Sequence, residues 1–380
     1  MLPEYPEAKR RAFARNLLRN SLRLRRGESL LIETWSGTLS WAESLVLEAR
    51  ILGARPLLVV EDETTFWKSV AEAPAAHIGH VGSHEWAACK ACDAHVILWG
   101  PLDTAKEEAL PSSVQSRIAA NDHEWFRLIQ KAGVRAVRWD LGRTSELWAK
   151  RYGVDLGLWR SELIDAATLD PRPMQRDGAR IARFLQHGKS LRITHANGTD
   201  LTLHLVGRRP RVDDGVIDET DVKAGNAVAV VPSGVVSVTV DERFAEGTFN
   251  GEGSDGVAFA ADFRTQIPLR GGRWTFRGGE LIDYAFERGE TEFRRAYRVL
   301  GRERGRPGLV SIGLNSRTTS IPLLFDQERG VICLTLGRNA EMGGHNRGPR
   351  FVAYQSIHKG NLEVDGTPVV RNGALVTDKR

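Results

Sequence analysis

The densest group of chemically capable side chains in this 380-residue sequence lies between His77 and His95. It holds His77, His80, His84, Cys89, Cys92 and His95. Imidazole and thiolate at close spacing suit zinc, whose structural sites take four such ligands in a tetrahedron. Cys89-x-x-Cys92 also has the spacing of a dithiol redox pair. Two features weaken both readings. No second cysteine pair closes a four-ligand site. Cys89 and Cys92 share a helix face with Trp86, as packing residues do, and they end a helix that feeds a strand. A redox pair sits instead where a strand runs into a helix. We therefore read this segment as structural. Gly251-Glu252-Gly253-Ser254-Asp255-Gly256 has the glycine spacing of a dinucleotide fingerprint, but that motif needs a strand before it and a helix behind it. Here it falls in a β-rich stretch, and a glycine-rich turn is the expectation. Residues 301–308 lack the Lys-Ser/Thr of a phosphate loop. Neither a GxSxG elbow nor an HExxH helix occurs. A Ser/His/Asp triad stays open, because its members need not be close in sequence.

The elements that would position such residues fall into two textures. Ser29–Thr34, Pro56–Val60, His95–Trp99 and Val134–Trp139 are short apolar runs that read as strands. Helical periodicity separates them, as in Trp41–Leu52 before Gly53 and His123–Ala132 before Gly133. Strand and helix in alternation predict a parallel sheet with helices on its faces. Ser145–Ala167 is helical and leads to Asp170-Pro171-Arg172-Pro173, which we take as the domain boundary. A helix over Met174–Gln186 follows. Beyond it, Leu191–His195 and Leu201–Val206 flank Asn197-Gly198, a hairpin signal. Val228–Val231, Val235–Val240, Val310–Leu314, Val331–Leu336 and Leu362–Val364 read as strands, with one helix over Glu290–Leu300. The expectation is an α/β domain over residues 1–172 and a mainly antiparallel α+β domain over 173–380.

The totals agree with two domains, at roughly 100–200 residues each. Net charge is +5. Arg10, Arg11, Arg15, Arg19, Arg23, Arg25 and Arg26 supply much of the excess. They alternate with Phe13, Leu17, Leu18 and Leu22 at helical spacing, so we read them as the solvated face of a first helix and not as a nucleic-acid stripe. Three cysteines make no disulfide framework. No secretory leader and no membrane-spanning run is recognised, and a cytoplasmic protein is expected.

A series of landmarks resembles the aminopeptidase T family of metallopeptidases and the related 2,5-dihydroxypyridine dioxygenases. Their strand ending Asn-Leu-Pro-Ser/Thr-Gly-Glu corresponds to Val230-Val231-Pro232-Ser233-Gly234-Val235. Their Gly-Glu, strand and Gly-x-Asn correspond to Pro307–Asn315. Their histidine-bearing strand corresponds to Val331–Asn339, followed by Met342-Gly343-Gly344, and their closing Val-Asp-Gly to Val364-Asp365-Gly366. The opening Arg26–Ile32 also resembles their first strand. The resemblance implies an aminopeptidase T-like fold, a homodimer, and a metal cleft built from Glu, Glu, His, His and Asp. Carried across, those ligands fall on Val235, near Gly308, on Cys333, and near Val352-Ala353-Tyr354. Cys333 alone is a metal ligand by type, and no His-x-Asp lies between it and Gly366.

The resulting expectation is a non-catalytic peptide-binding protein on an aminopeptidase scaffold, with no metal, no cofactor and no catalytic residue. It would bind a peptide or precursor peptide and could present it to a partner enzyme. Its presumed ligand wall is Arg338, Asn339, His345, Arg347, Arg350 and Tyr354, because guanidinium forks suit carboxylates and amides suit peptide backbone. Two alternatives are kept. One is a metalloenzyme with ligands relocated among Asp241, Glu242, Glu246, Asp326, Glu328, Cys333, His345 and His358. The other is a metal-free acid–base enzyme using Glu328, His345 or His358.

Overall fold

The structure is a computed structural model that describes residues 5–78, 80–139, 141, 144–252, 256–260, 265–298, 305–319, 322, 324, 326–348 and 351–376. It divides into two compact units: Met1–Pro171 with Gly215–Ser233, and Arg172–Asp214 with Gly234–Arg380.

The first unit is built on parallel strands β1 (Ser29–Trp35), β2 (Arg55–Glu61), β3 (Ala94–Leu98) and β4 (Arg135–Trp139). Helices α1 (Glu7–Asn16), α2 (Leu39–Leu52), α3 (Glu63–Glu72), α4 (Ser83–Ala91), α5 (Thr104–Ala109), α6 (Ser112–Ala132), α7 (Glu146–Tyr152) and α8 (Leu156–Ala167) precede, connect or follow them. Their ends obey local chemistry. Gly53 and Gly133 close α2 and α6 in the left-handed conformation, with φ of 81° and 68°. Asp155 caps α8 by accepting from the Leu158 N–H at 2.7 Å. Phe13, Trp41 and Trp139 meet in the core, with the Phe13 and Trp139 ring centres 4.3 Å apart.

The fifth strand of this sheet is not consecutive. The chain first runs through α9 (Pro171–His187), β5 (Ser190–Thr194), β6 (Asp200–His204) and β7 (Arg211–Asp213), then α10 (Glu219–Lys223), before β8 (Val228–Val231) lies parallel to β4. The sheet order is β2-β1-β3-β4-β8. Val228–Val231 reads as part of the second domain in sequence, whereas its hydrogen bonds place it in the first sheet. A four-residue apolar run carries no mark of which sheet it will join.

The second unit adds β9 (Val235–Thr239), β10 (Ala245–Asn250), β11 (Gly256–Ala260), β12 (Thr265–Leu269), β13 (Arg273–Arg277) and β14 (Glu280–Ala285). Helix α11 (Glu290–Arg298) leads to β15 (Pro307–Gly313), β16 (Ile332–Gly337), β17 (Val352–Ile357), β18 (Asn361–Val364), β19 (Thr367–Arg371) and β20 (Ala374–Leu375). They form an eight-stranded sheet, β14-β13-β10-β6-β5-β18-β19-β20, and a seven-stranded one, β12-β11-β17-β16-β15-β9-β7, with every pair antiparallel. The β5–β6 hairpin turns at Gly198, whose φ is 91°. The mixture of a parallel α/β sheet and antiparallel sheets is the fold class that the sequence predicts.

The N-terminal arginines are largely occupied within the first unit. Arg11 and Arg15 converge on the buried Glu48 carboxylate at 2.6 and 3.0 Å. Arg23 pairs with Asp218 and Arg25 with Glu219. Phe13, Leu17, Leu18 and Leu22 are buried beneath them, as the helical spacing predicts.

Candidate functional site

Residues directly opposite on neighbouring strands share a face, and faces alternate along each strand. Pairing in the seven-stranded sheet therefore sorts its side chains into two sets. One face holds Val236, Val238, Val310, Ile312, Ile332, Leu334 and Leu336, all buried. Helix α9 lies close against it: a Cβ on Gly178 would sit 2.5 Å from Val212 and 3.5 Å from Val236. The opposite face is polar and built of small side chains. Ser237, Ser311, Cys333 and Ser356 stand in one row across four strands, and all are buried. Thr335 and Tyr354 form an adjacent pair, and Val257 continues their row. Toward the other end, Asp213, Val235 and Gly313 lie side by side.

This polar face carries the positions onto which the family resemblance maps its metal ligands, and the residues present do not fit a metal. Val235 has no donor. Gly308 and Val235 are not neighbours, because Val235 pairs with Gly313, five residues or about 17 Å along β15 from Gly308 at ~3.4 Å per residue. Gly313 therefore occupies the position that could share an ion with Val235. A Cβ there would lie 1.9 Å from the Glu328 carbonyl oxygen. The space a ligand side chain would need is filled by backbone. Cys333 is fully buried in an apolar contact with Val257 and Tyr354. Among the described residues no group of three or more His, Cys, Asp or Glu side chains could hold a metal ion.

The relocated set does not converge either. Asp241 is held by Arg243 at 3.0 Å, and Glu246 accepts from the Gly278 N–H at 2.6 Å. Glu328 faces His358 at 3.5 Å. The His358 N–H donates to Glu252 at 3.0 Å, and Glu252 also faces His195 at 3.4 Å. These contacts are separate pairs and one string, His195–Glu252–His358–Glu328, and among the described residues they share no common centre.

Glu242 has a different role. Its carboxylate takes both arms of the Arg208 guanidinium at 2.7 Å, the Asn339 amide at 2.8 Å and the His345 N–H at 2.7 Å. Burial pushes its carboxyl up, but these donors outweigh it and bring the pKa down to about 2. Asn339 is 1% exposed. Its amide also donates to the Gly308 carbonyl and accepts from the Asn346 N–H. Arg338 is turned back on its own loop, binding Glu341 at 2.6 Å and the Gly348 carbonyl at 3.1 Å. Of the six presumed wall residues, Asn339 is thus an internal brace and Arg338 a loop fastener. His345 and Arg347 are exposed on that loop, and Tyr354 stands on β17. Arg350 lies outside the described residues. Nothing in the sequence announces Glu242 and Arg208 as the loop's anchor, since they are 34 residues apart and Asn339 is 97 residues from Glu242.

One further group on the polar face has unusual electrostatics. Burial, together with the neighbouring Asp213 carboxylate, raises the Asp326 pKa to about 6. Burial, then Asp326 and Cys333, also push the Tyr354 phenol upward. A carboxyl that titrates near neutrality can donate or accept a proton under ordinary conditions.

The other sequence motifs are structural. Cys89 belongs to a core cluster with Leu31, Ile97, Ile129 and Ala136, against which Trp86 and Cys92 pack. Burial first, then the mutual repulsion of the pair and Glu33, raises the Cys89 thiol to about 12; burial raises Cys92 to about 11. Such thiols stay protonated and unreactive. His95 is buried against Glu33 at 3.0 Å. The glycine fingerprint lies partly outside the described residues, and the strand β11 follows it where a dinucleotide site needs a helix.

Comparison with known proteins agrees with this geometry. AmpT from Thermus thermophilus superposes with a TM-score of 0.67 at 17% identity, covering 97% of this chain and 99% of that one. The chain has the aminopeptidase T fold. A 2,5-dihydroxypyridine dioxygenase from Pseudomonas putida matches with a TM-score of 0.61 at 15% identity over 99% of both chains. At such identities the likeness is one of fold alone. No protein-family profile matches the sequence, and no curated protein sequence matches it.

Proposed function

We propose that this chain binds a peptide on an aminopeptidase T-like scaffold and does not hydrolyse it by metal chemistry. The observation that carries the reading is the donor set on the polar face. Val235 and Cys333 stand where the resemblance would put ligating side chains, Gly313 pairs with Val235, and the backbone of Glu328 fills the space beside Gly313. A divalent ion repays its dehydration through several anionic or imidazole donors, and this face supplies none that converge. What remains beside the buried hydroxyl row is the pair of half-buried carboxyl groups of Asp213 and Asp326, suited to the N–H groups and ammonium of a peptide. On the same reading the exposed His345 and Arg347, with Tyr354 of β17, face the ligand, and the protein works as a homodimer in the cytoplasm.

The test is elemental analysis of purified protein after incubation with zinc, manganese, iron and cobalt, followed by a dipeptide cleavage assay and a peptide-binding screen. Below about a tenth of an equivalent of metal, with no cleavage and saturable binding, the reading stands. A full equivalent of metal with cleavage overturns it.

A second reading starts from the placement of Asp326, whose burial and the neighbouring Asp213 carboxylate raise its carboxyl to about 6. Asp326 would then serve as a metal-free general acid or base. It requires a turnover that is insensitive to chelators and loses its inflection near pH 6 in Asp326→Asn.

A further inference from the structure

Helix α9 has two unlike faces. Met174, Gly178, Ile181 and Leu185 are buried on one side, at the spacing of a helix that packs on a sheet. Arg172, Arg176, Arg180, Arg183 and His187 recur three or four residues apart on the other side, and all of them are exposed. At 3.6 residues per turn these positions fall within a stripe about 80° wide, and at 1.5 Å per residue the stripe is about 22 Å long.

A helix face that meets only water interleaves acids with its bases, because opposite charges three or four residues apart stabilise a helix and like charges destabilise it. This stripe contains no acid. The one carboxylate of α9, Asp177, lies off the stripe and is taken by Arg329 at 2.9 Å. The N-terminal arginines show the contrast: Arg11 and Arg15 share Glu48, and Arg23 and Arg25 hold Asp218 and Glu219. Arg176, Arg180 and Arg183 have no hydrogen bond or ion pair among the described residues. At the C-terminal end of the stripe, the Gln186 Nε2 donates to the Gly207 carbonyl at 2.9 Å, which brings the segment carrying the exposed Arg209 alongside. A row of like charges kept on one face without internal partners is matched by anions from outside the chain.

We propose that the outer face of α9 docks an acidic polypeptide segment of a partner, whose carboxylates take the guanidinium groups of Arg176, Arg180 and Arg183. Planar guanidinium forks pair bidentately with carboxylates. Along the helix axis the three arginines are spaced by about 6 and then about 4.5 Å. Alternate side chains of an extended chain repeat at about 6.8 Å, a mismatch that long arginine side chains absorb. A run of the type Glu-x-Glu-x-Glu can therefore meet them in order. Nucleic acid fits this face less well. A single strand is held in a basic groove by several aromatic rings that stack its bases. Here the row stands on a convex helix, one side chain wide, and Phe184 is the one Phe, Tyr or Trp of α9. Helix α9 covers the apolar face of the seven-stranded sheet, with Gly178 close against Val212 and Val236. The basic stripe is thus on the far side of that sheet from its polar face, and the inference does not rest on the peptide reading of the polar face.

The experiment is fluorescence anisotropy of two probes titrated with the full chain near neutral pH, at about 20 and about 200 mM salt. One probe is a peptide of eight glutamates and the other a single-stranded DNA of twenty nucleotides, each carrying a neutral dye. The glutamate peptide is expected to bind saturably, more tightly than the DNA, and to weaken with salt. The triple variant Arg176→Glu/Arg180→Glu/Arg183→Glu should weaken it about tenfold or more. The triple variant to lysine keeps the charge and the helix, and should still lose about twofold or more, because an ammonium cannot make the bidentate fork. That second variant carries the test should the charge reversal disturb folding, as circular dichroism would show. No saturable binding of the glutamate peptide up to about 1 mM at low salt overturns the proposal. So does an affinity that neither variant changes. DNA bound more tightly than the peptide, and lost in the charge reversal, also overturns it and marks a nucleic-acid surface.

Discussion

At the scale of single residues, two carboxyls behave in opposite ways, and each has a measurable consequence. Glu242 is depressed to about 2 because Arg208, the His345 N–H and Asn339 outweigh the cost of its burial. Its ionised form stabilises the fold above the unfolded carboxylate pKa of about 4.3, and this contribution fades as pH falls from there through about 2. Glu242→Ala leaves Arg208 buried without its partner and should cost about 3–5 kcal/mol, read by urea denaturation. Arg338 to Gly348 should then become susceptible to protease. Asp326 is raised to about 6 by burial and by Asp213. In the folded chain it holds its proton longer than when unfolded, so stability declines as pH rises from about 4 through 6. Asp326→Asn should flatten that decline in denaturation midpoints measured across this range. Of these two residues the sequence marks only their type. Glu242 finds its donors 34, 97 and 103 residues away, and no local spacing announces such a convergence.

At the scale of elements, strand register decides which chemistry is available. The family resemblance would place a second acidic ligand near Gly308. Pairing places Gly313 beside Val235 instead, with the Glu328 carbonyl occupying the side-chain space. Gly313→Glu should therefore destabilise the chain by roughly 1–3 kcal/mol through overpacking and not rebuild a site. Val235→Glu combined with Cys333→His should likewise take up no stoichiometric zinc, as elemental analysis would show. The helices are more legible. Gly53 and Gly133 mark the ends of α2 and α6 in sequence and adopt the left-handed conformation there. Gly53→Ala should cost about 1 kcal/mol or more in thermal denaturation, because an L side chain resists φ of 81°.

At the scale of the whole molecule, likeness to AmpT and to the dioxygenase spans 97–99% of this chain at 15–17% identity. A fold shared at such identities fixes architecture and leaves the chemistry to the residues on it. If no metal holds the structure together, removing metal should not matter: the Tm in EDTA should agree with the Tm in added zinc to within about 1 °C. A rise of several degrees with zinc would reveal a site that the described residues do not form. No helix of the described residues is long and apolar enough to cross a membrane.

The sequence alone determined the alternation of strands and helices up to Ala167, the β5–β6 hairpin at Gly198, the buried face of the N-terminal helix and the likeness to one fold. These follow from periodicity, glycine and turn chemistry, which act over a few residues. Tertiary structure decided the rest. It returned Val228–Val231 to the first sheet, drew Asn339 inward onto Glu242, set Asp326 against Asp213, and left the apolar β2 at an edge. Each depends on which distant segments meet, and hydrogen bonding and burial settle that only when the chain has closed on itself.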